Sequence, residues 1–282
     1  MKYYDRKTGQ YVTEDGYAQG SLDFLYQTAV GRALLKLVVN PFFSKLACIY
    51  KRSGLSKRSI PRFAEQYQVE VSAKELSEFR SFNDFFTRKG DVTFSKEPSE
   101  LCAIADSRVS AYEITPDLCL SIKDSLYSVD ELIGDEALSR RFANGICLVF
   151  RLAMDDVHRY YYFDDGKVLS LRSFKGELHT VRPISERYRV FVRNKRSVTV
   201  METARFGTAV QIEIGALLVG KINNHPREQF QRGEEKGYFE LGGSTIVLLL
   251  EKNVRLDNDI MTALREGSET RVRAGERIGV VC

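Results

Sequence analysis

The sequence predicts an α+β fold, in which a helical N-terminal part is followed by a β-rich body. Apolar residues recur at helical spacing before residue 90, whereas the chain after Leu101 is rich in β-branched and aromatic runs separated by turns. The 282 residues are 43% hydrophobic and 28% charged, which is typical of a globular chain with a sizeable core. We therefore expect a helical part over 1–90 and a β-rich domain over 91–282.

The cysteines and the lengths of the apolar runs indicate which compartment and which kinds of site to expect. Five cysteines are an odd number and include no Cys-x-x-Cys pair, so we expect neither a disulfide framework nor a zinc site, and a reducing compartment. No other metal-ligand spacing and no phosphate-binding glycine loop occurs, so no metal is predicted. The N-terminus lacks an apolar signal core and no run of 18 apolar residues exists, so we expect neither secretion nor a transmembrane helix.

The first long element is a predicted helix in the stretch "SLDFLYQTAVGRALLKLVVN". Thr28, Arg32, Lys36 and Asn40 recur every four residues and form a polar stripe, while leucine and valine cover most of the remaining surface. Pro41 is expected to end this helix, because proline lacks the amide hydrogen that the helix needs.

Charge is concentrated around this helix. The region from Phe24 to Ala64 has no acidic residue and eight basic ones: Arg32, Lys36, Lys45, Lys51, Arg52, Lys57, Arg58 and Arg62. The whole chain has a net charge of +4, so the rest sums to 4 − 8 = −4. A basic helix with a broad apolar face suits the surface of an anionic membrane. An ordinary packed helix with a solvated basic edge is the alternative, whereas nucleic-acid binding is disfavoured because the cations alternate with aliphatic residues.

The rest of the chain follows the same division. Residues 55–90, including "KELSEFRSFNDFFTR", have apolar positions at helical spacing and predict further helices. Strands are predicted in four later runs: "GICLVFRLAM", "YRVFVRN", "SVTVMETARFGTAVQIEIGALLVGKI" and "STIVLLLEKN".

Three histidines could carry protons near neutral pH: His158, His179 and His225. His158 lies in "MDDVHRYYYFDDG", between a strand-like run and a turn, and either a functional or a hydrogen-bonded structural role fits it. His179 is open in the same way, and His225 lies in a polar loop that favours function less. Asp106 follows an apolar segment, where a carboxylate either forms a turn or orients a base.

The stretch "GYFELGGSTIVLLLEKN" places two glycines, Gly242 and Gly243, between runs that otherwise predict strand. Glycine weakens a strand, so such a pair marks a bulge, a bend or a place where a group approaches the backbone closely. Ser244 follows them directly. The residues alone therefore indicate a possible Ser/His/Asp set with an unusual serine on a β segment.

Five blocks carry a resemblance to a known family. They are, in chain order, "FRSFNDFFTRK" (79–89), "ADSRVS" (105–110), "DDVHRYYYFDDG" (155–166), "GALLVGKI" (215–222) and "RGEEKGYFELGGSTIVLL" (232–249). Together they span most of the chain and resemble the phosphatidylserine decarboxylases. The Gly-Ser-Thr block after Lys-Gly-x-Phe is the most specific of the five, and the absence of a long leader resembles bacterial members.

The resemblance implies that the protein cuts itself between Gly243 and Ser244. The Ser244 hydroxyl would attack the carbonyl of Gly243 and form an ester, which β-elimination would then break. A β chain of residues 1–243 and an α chain of residues 244–282 would result. Residue 244 would become an N-terminal pyruvoyl group, which is the covalent cofactor of the family.

By the same resemblance, the pyruvoyl group would form a Schiff base with phosphatidylserine and release CO2, giving phosphatidylethanolamine. The protein would thus be a carboxy-lyase of phospholipid biosynthesis. One alternative is a relative that decarboxylates a soluble amino acid with the same cofactor. The other is a non-catalytic lipid-surface protein that keeps the fold.

The resemblance also implies roles for individual residues. Asp106 would orient His158, and His158 would take the proton of Ser244. Many members have a second histidine three residues after the first, where this chain has Tyr161. His158 would then serve both cleavage and decarboxylation, or Tyr161 or His179 would supply one proton step. Ser107 replaces a glycine that many members have after the aspartate.

The lipid substrate implies partners and a location. We expect a peripheral enzyme on the cytoplasmic side of the cell membrane, which takes phosphatidylserine from an anionic bilayer. The helical part would contact the membrane and residues 91–282 would form the catalytic domain. The two chains should stay associated, because a fragment of 282 − 243 = 39 residues is too small to hold a core alone. A homodimer is also possible.

Overall fold

A large, mostly antiparallel β-sheet organises the chain. The computed structural model describes residues 1–14, 19–69, 71–122, 125–181, 183–217, 221–240, 244–251 and 254–282. In these ranges the strands are β1 (Lys2–Asp5), β2 (Gln10–Thr13), β3 (Glu100–Cys102), β4 (Ser107–Glu113), β5 (Cys119–Ile122), β6 (Ser125–Ser128), β7 (Ile146–Leu152), β8 (Arg159–Tyr161), β9 (Gly166–Phe174), β10 (Arg196–Thr203), β11 (Gly207–Ile214), β12 (Lys221–Asn224), β13 (Gln229–Phe230), β14 (Glu235–Glu240), β15 (Ser244–Leu250), β16 (Val254–Leu256), β17 (Glu269–Val272) and β18 (Arg277–Val281).

Helices precede the sheet and interrupt it. In the described ranges they are α1 (Gln19–Gln27), α2 (Ala29–Val38), α3 (Pro41–Arg52), α4 (Ile60–Gln66), α5 (Ala73–Glu78), α6 (Phe82–Phe86), α7 (Val129–Ile133), α8 (Glu136–Ser139), α9 (Val190–Arg193) and α10 (Asn258–Arg265). Short 3-10 helices cover Gly54–Ser59, Arg140–Phe142 and Pro183–Tyr188. The expected β-rich body is confirmed, as are helices within residues 55–90.

Strand β15 lies in the middle of the ten-stranded sheet, whose order is β13-β9-β10-β11-β15-β7-β4-β17-β1-β2. Ile246, Leu248 and Leu250 are buried in one core cluster, whereas Val247 and Leu249 are buried in another. This two-sided burial is the physical reason for the unbroken apolar run in the sequence, because a strand covered on both faces has no polar side.

The three-stranded sheet β12-β14-β8 aligns two stretches of the resemblance. Strand β8 begins directly after His158, and strand β14 ends three residues before Gly243. The amide of Phe239 in β14 donates to the carbonyl of His158 at 2.9 Å. The histidine block and the segment that leads to Ser244 are thus joined by backbone hydrogen bonds.

The first 13 residues depart from the helical part expected over 1–90. Strands β1 and β2 form a hairpin, and β1 pairs in parallel with β17 at the edge of the large sheet. The turn between them contains Gly9 at φ +68°, a left-handed conformation that glycine adopts without strain. Each strand has only four residues, which is too short for its periodicity to be recognised from sequence.

The helix predicted before Pro41 is two helices. Thr28 ends the first by capping the second, and its side-chain oxygen accepts from the amide of Gly31 at 2.9 Å. Asn40 caps α3 in the same way, and Pro41 is the first residue of α3 rather than the terminator of the helix before it. Proline fits that position because the first helical amide has no intrahelical acceptor.

Apolar side chains of the N-terminal helices are exposed. Those with more than two fifths of their surface exposed are Phe24, Val30, Leu34, Leu37, Phe42, Leu46, Ile49, Tyr50 and Leu55. Arg32, Lys36, Arg52, Arg58 and Arg62 are exposed in the same region. Within the described ranges, no helix has the length and apolar character needed to cross a bilayer.

The run "YRVFVRN" is helical, not a strand as the sequence predicts. Its residues end a 3-10 helix and form α9, with Val190 and Phe191 buried against the sheet. Arg189 lies between the 3-10 helix and α9 and has φ +50°, which is incompatible with an extended strand. Tertiary packing here overrides the strand preference of valine and phenylalanine.

Candidate active site

Ser244 opens β15 and is fully buried. It is opposite Leu152 of β7 in the sheet register. Its Oγ has no hydrogen-bond partner among the described residues, although a buried hydroxyl normally has one. Gly242 and Gly243, and with them the expected scissile bond, lie outside the described residues. Ser244 therefore presents, at the start of the strand, a buried hydroxyl to which no described residue is hydrogen-bonded.

His158 is also fully buried, and its surroundings select one tautomer. Its Nδ1 lies 3.0 Å from the backbone carbonyl oxygen of Asp156. A carbonyl only accepts, so Nδ1 carries the hydrogen, and Nε2 of the neutral ring holds the lone pair. The ring packs on Phe86 with 4.1 Å between centroids. In the neutral ring, Nε2 is therefore the nitrogen that can accept a proton.

The aromatic block "FRSFNDFFTRK" forms the wall against which this imidazole packs. Phe82, Phe85 and Phe86 on α6 are buried together in one cluster. Ser81 caps the helix by accepting from the amide of Asp84 at 3.2 Å. The sequence identified this block by resemblance only, and the contact with His158 gives it a physical role.

Asp106 lies directly before β4, and both of its carboxylate oxygens accept hydrogen bonds from residues near the C-terminus. The amide of Ala274 donates to Oδ1 at 2.9 Å, and Nη1 of Arg273 donates to Oδ2 at 3.1 Å. The pairing of Asp106 with His158 stays a prediction. The observed contacts connect Asp106 instead to the part of the chain that follows Ser244.

Asp156 is a buried carboxylate that the sequence reasoning missed. Its Oδ2 accepts from the amide of Ala153 at 2.8 Å and from the guanidinium of Arg108, which is also buried. Its Oδ1 has no partner among the described residues. Burial raises the pKa of Asp156 to about 6, and Arg108 opposes that shift. The only signal in the sequence was its place two residues before His158.

Tyr161 lies nearer to Asp106 than its separation in sequence suggests. Its amide donates to the carbonyl of Ile104 at 2.9 Å, and its ring packs on Phe94. Burial raises the pKa of Tyr161 to about 12, and the negative charges of Glu235 and Asp106 contribute to the increase. The phenol therefore stays protonated near neutral pH and can donate a hydrogen bond.

His179 and His225 are both engaged elsewhere. Nδ1 of His179 lies 3.2 Å from the hydroxyl of Tyr26 on α1, and its Nε2 lies 3.0 Å from the Glu177 carboxylate. Burial lowers the pKa of His179, which favours the neutral ring. Nε2 of the more exposed His225 lies 2.8 Å from Glu235. These contacts favour structural roles, above all for His179, which connects α1 to the body.

Chemically, the described residues provide a nucleophile, a base and buried charges. Self-cleavage would need Ser244 to supply a hydroxyl, His158 a proton acceptor, and Asp106 or Asp156 a negative charge near the imidazolium, and this placement stays a prediction. Such a set suits an attack by the serine oxygen on a neighbouring carbonyl. The neighbouring carbonyl in the chain is that of Gly243.

Comparison with known proteins agrees with these features. The family model described as phosphatidylserine decarboxylase matches residues 82–280. "Phosphatidylserine decarboxylase proenzyme 2" of Clostridium acetobutylicum is 47% identical over 282 residues, covering 98% of this chain and 97% of that protein. "Phosphatidylserine decarboxylase proenzyme" of Ruminiclostridium cellulolyticum is 40% identical, with 99% and 97% covered. The Clostridium botulinum protein of the same name is 35% identical, with 99% of each chain covered.

Proposed function

Because this chain belongs to the phosphatidylserine decarboxylase family, we propose that it is made as a proenzyme that cuts its own backbone between Gly243 and Ser244. Its activity is that of this family, the decarboxylation of phosphatidylserine in phospholipid biosynthesis, and its proposed cofactor is the pyruvoyl group that the cleavage would leave. The observation that carries the proposed cleavage site is the Oγ of Ser244, which is buried and has no partner among the described residues.

In the proposed cleavage, Ser244 Oγ attacks the carbonyl carbon of Gly243 as its proton passes to Nε2 of His158. The Asp156 carbonyl supports this direction of transfer, because it accepts the hydrogen on Nδ1 and leaves Nε2 as the basic nitrogen. Glycine at 243 has no side chain to shield the carbonyl. The attack would move the acyl group from the Ser244 nitrogen to its Oγ, and β-elimination from this ester would free residues 1–243 as a carboxylate and leave dehydroalanine at position 244. Water would then hydrolyse the dehydroalanine, with release of ammonia, to a pyruvoyl group.

The residues around Ser244 fit that group. When formed, it supplies a carbonyl that condenses with the substrate amine and takes up the electrons released as CO2 leaves. The buried position of Ser244 would keep water from the reacting carbon, and the aromatic wall at Phe86 would do the same beside His158. His158 and Tyr161 are the candidate proton donors for the decarboxylated product.

The two fragments should stay together. Residues 244–282 contribute β15, β16, α10, β17 and β18, and β15 has a neighbour on each side in the large sheet. Asp106 and Arg273 would form an ion pair between the two fragments. The separation of a strand paired on both sides would expose the apolar run 246–250, which disfavours dissociation.

We further propose that the enzyme is peripheral on the cytoplasmic side of the membrane and contacts the bilayer through α1–α3. Exposed apolar side chains such as Leu34 and Leu37 lie close in sequence to exposed cations such as Arg32 and Lys36. This combination suits an anionic lipid surface. It also argues against a soluble amino acid as the substrate, which would need no such surface.

The intact mass of the purified wild-type chain tests the proposal. We expect one fragment ending at Gly243 and one beginning with a pyruvoyl group in place of Ser244. Incubation with phosphatidylserine vesicles should then release CO2 and form phosphatidylethanolamine. A single full-length chain that is stable with phospholipid present would overturn the proposed cleavage, and fragments cut at another bond would overturn the assignment of Ser244.

A further inference from the structure

The last turn of α3 contacts both sides of the candidate site. Arg52, the final residue of α3, donates through Nε at 2.9 Å and through Nη2 to the carboxylate of Glu240, the final residue of β14. Lys51, its neighbour, places its Nζ 3.8 Å from the centroid of the Phe82 ring. Consecutive residues of one helix thus contact the strand that leads to Ser244 and the aromatic block beside His158.

Glu240 is held tightly. Its side chain is only 7% exposed, and its second oxygen accepts from Nδ2 of Asn223 at 2.9 Å. A carboxylate buried to this degree needs its charge balanced, and Arg52 is the cation within ion-pair distance of it among the described residues. The guanidinium contacts one carboxylate oxygen through two nitrogens, which fixes direction as well as distance. The end of β14 is therefore positioned by a side chain of α3.

Only three residues separate Glu240 from Ser244. Four residue steps span at most about 14 Å, so the end of β14 lies within that distance of Ser244. We propose that Arg52 is a positioning residue for self-cleavage, which acts by holding Glu240 at the end of β14. This inference depends on the proposed cleavage at Gly243–Ser244.

The contact between Lys51 of α3 and the Phe82 ring supports a role of this helix turn in positioning the site. Phe82 stacks on Phe86 at 6.2 Å with an interplanar angle of 21°, and Phe86 packs on His158 at 4.1 Å. Ser244 is the first residue of β15 and His158 lies directly before β8, so their separation depends on elements that contact both segments. An attack at a carbonyl is sensitive to displacements of about 1 Å, which can lower the rate about a hundredfold.

Cell-free synthesis tests the proposal, because the conversion of new full-length chain to fragment 1–243 can be followed in time. Arg52→Met and Glu240→Gln should each slow cleavage by about tenfold or more. Arg52→Glu combined with Glu240→Arg should restore the rate to within about threefold of the wild type, since the swapped pair keeps opposite charges. Arg58→Met is the matched control, because Arg58 is an exposed cation of the same region.

Thermal unfolding of the same variants separates positioning from a general loss of stability. We expect Arg52→Met to lower the thermal midpoint, because Glu240 is left buried without its cation, and also to slow cleavage at temperatures where both Arg52→Met and Arg58→Met are fully folded. Cleavage at the wild-type rate in Arg52→Met would overturn the inference, as would equal slowing by Arg58→Met or no recovery in the swapped pair. If Glu240→Gln fails to fold, Arg52→Met still decides the matter, because Arg52 is half exposed. A wild-type chain that never cleaves would overturn the proposed function itself.

Discussion

Arg108 and Asp156 form a buried ion pair that joins the strand after Asp106 to the turn before His158. Each partner lies two residues from a candidate site residue. The same carboxylate accepts from the amide of Ala153, so it also closes the turn that carries the histidine. This pair thus connects the aspartate block to the histidine block, and neither of its residues was predicted from the sequence to have a role.

Replacement of Arg108 should lower the thermal stability of the protein. Arg108→Met leaves Asp156 buried without its cation, and breaking a buried pair typically costs about 3 kcal/mol. For a chain of this size the thermal midpoint should fall by roughly 6 to 12 °C. Arg140→Met removes an exposed cation paired with Glu136 and should change the midpoint by less than about 2 °C. Equal midpoints for the two variants would contradict a stabilising role for the buried pair.

Asp156 should also give the stability a distinct pH dependence. Its pKa in the folded chain is raised to about 6 from an ordinary 3.8, so between these values the folded chain binds a proton that the unfolded chain has lost. This contribution to stability therefore decreases as pH rises through the window and is lost above about pH 6. Asp156→Asn cannot titrate, whereas Asp155, Asp106 and Arg108 remain in both proteins.

The predicted pH dependence can be tested by measuring the thermal midpoints of the wild type and of Asp156→Asn at pH 4.5 and 7.5. The midpoint of Asp156→Asn relative to that of the wild type should be higher at pH 7.5 than at pH 4.5. A relative midpoint that stays constant, or that falls with pH, would show that the carboxyl is not held partly protonated by burial.

Ser244→Ala should leave the chain at full length, because it removes the proposed nucleophile. Ser268→Ala is a matched control: its hydroxyl is likewise buried without a partner among the described residues, and it lies in the same C-terminal part. Mass spectrometry of both variants would show one chain for the first and two for the second. A cut product from Ser244→Ala would rule out the assigned nucleophile.

Tyr161→Phe removes only the phenol hydroxyl, which burial keeps protonated. If Tyr161 takes the place of the second histidine, decarboxylation should fall by about tenfold or more while cleavage persists. Tyr162→Phe, at the next position, removes a buried hydroxyl from a ring stacked on Phe230 and serves as the control. Release of CO2 from phosphatidylserine measures the effect, and unchanged turnover would exclude this role.

Contact with the bilayer should depend on the exposed apolar side chains. Leu37→Ser combined with Ile49→Ser should weaken binding to anionic vesicles by about tenfold or more, because both side chains lose apolar area that the lipid would cover. Leu169→Ser combined with Leu171→Ser removes similarly exposed leucines from β9 of the body. Co-sedimentation with phosphatidylglycerol vesicles should separate the two pairs. Equal loss in both would place the lipid contact elsewhere.

The sequence predicts well where an element is long or continuously buried. The run 246–250 and the pair β10 and β11 form the strands that their β-branched residues indicate. It fails where the deciding contact is distant in sequence. Val190 and Phe191 favour strand locally, yet their burial against the sheet places them in a helical turn.

For the site, the residues alone indicated Asp106, His158 and Ser244 as a possible set and the resemblance implied their roles, but neither carried information on their neighbours. The tautomer of His158 depends on the carbonyl of Asp156, and any residue type at 156 would supply that carbonyl. The contact between Asp106 and Arg273 spans 167 residues. Such contacts leave no periodic signal in one sequence, so only the folded chain reveals them.

The central place of β15 also bears on how such an enzyme can be inherited. Strand β15 is paired on both sides, so the segment that begins at Ser244 lies inside the large sheet and not at its edge. If the cut follows folding, the two mature chains come from a single reading frame, in equal amounts and already matched. A gene split at codon 244 would have to insert a short apolar peptide into the middle of a finished sheet. The position of the cleavage site within the sheet thus favours one gene that encodes both chains over two separate genes.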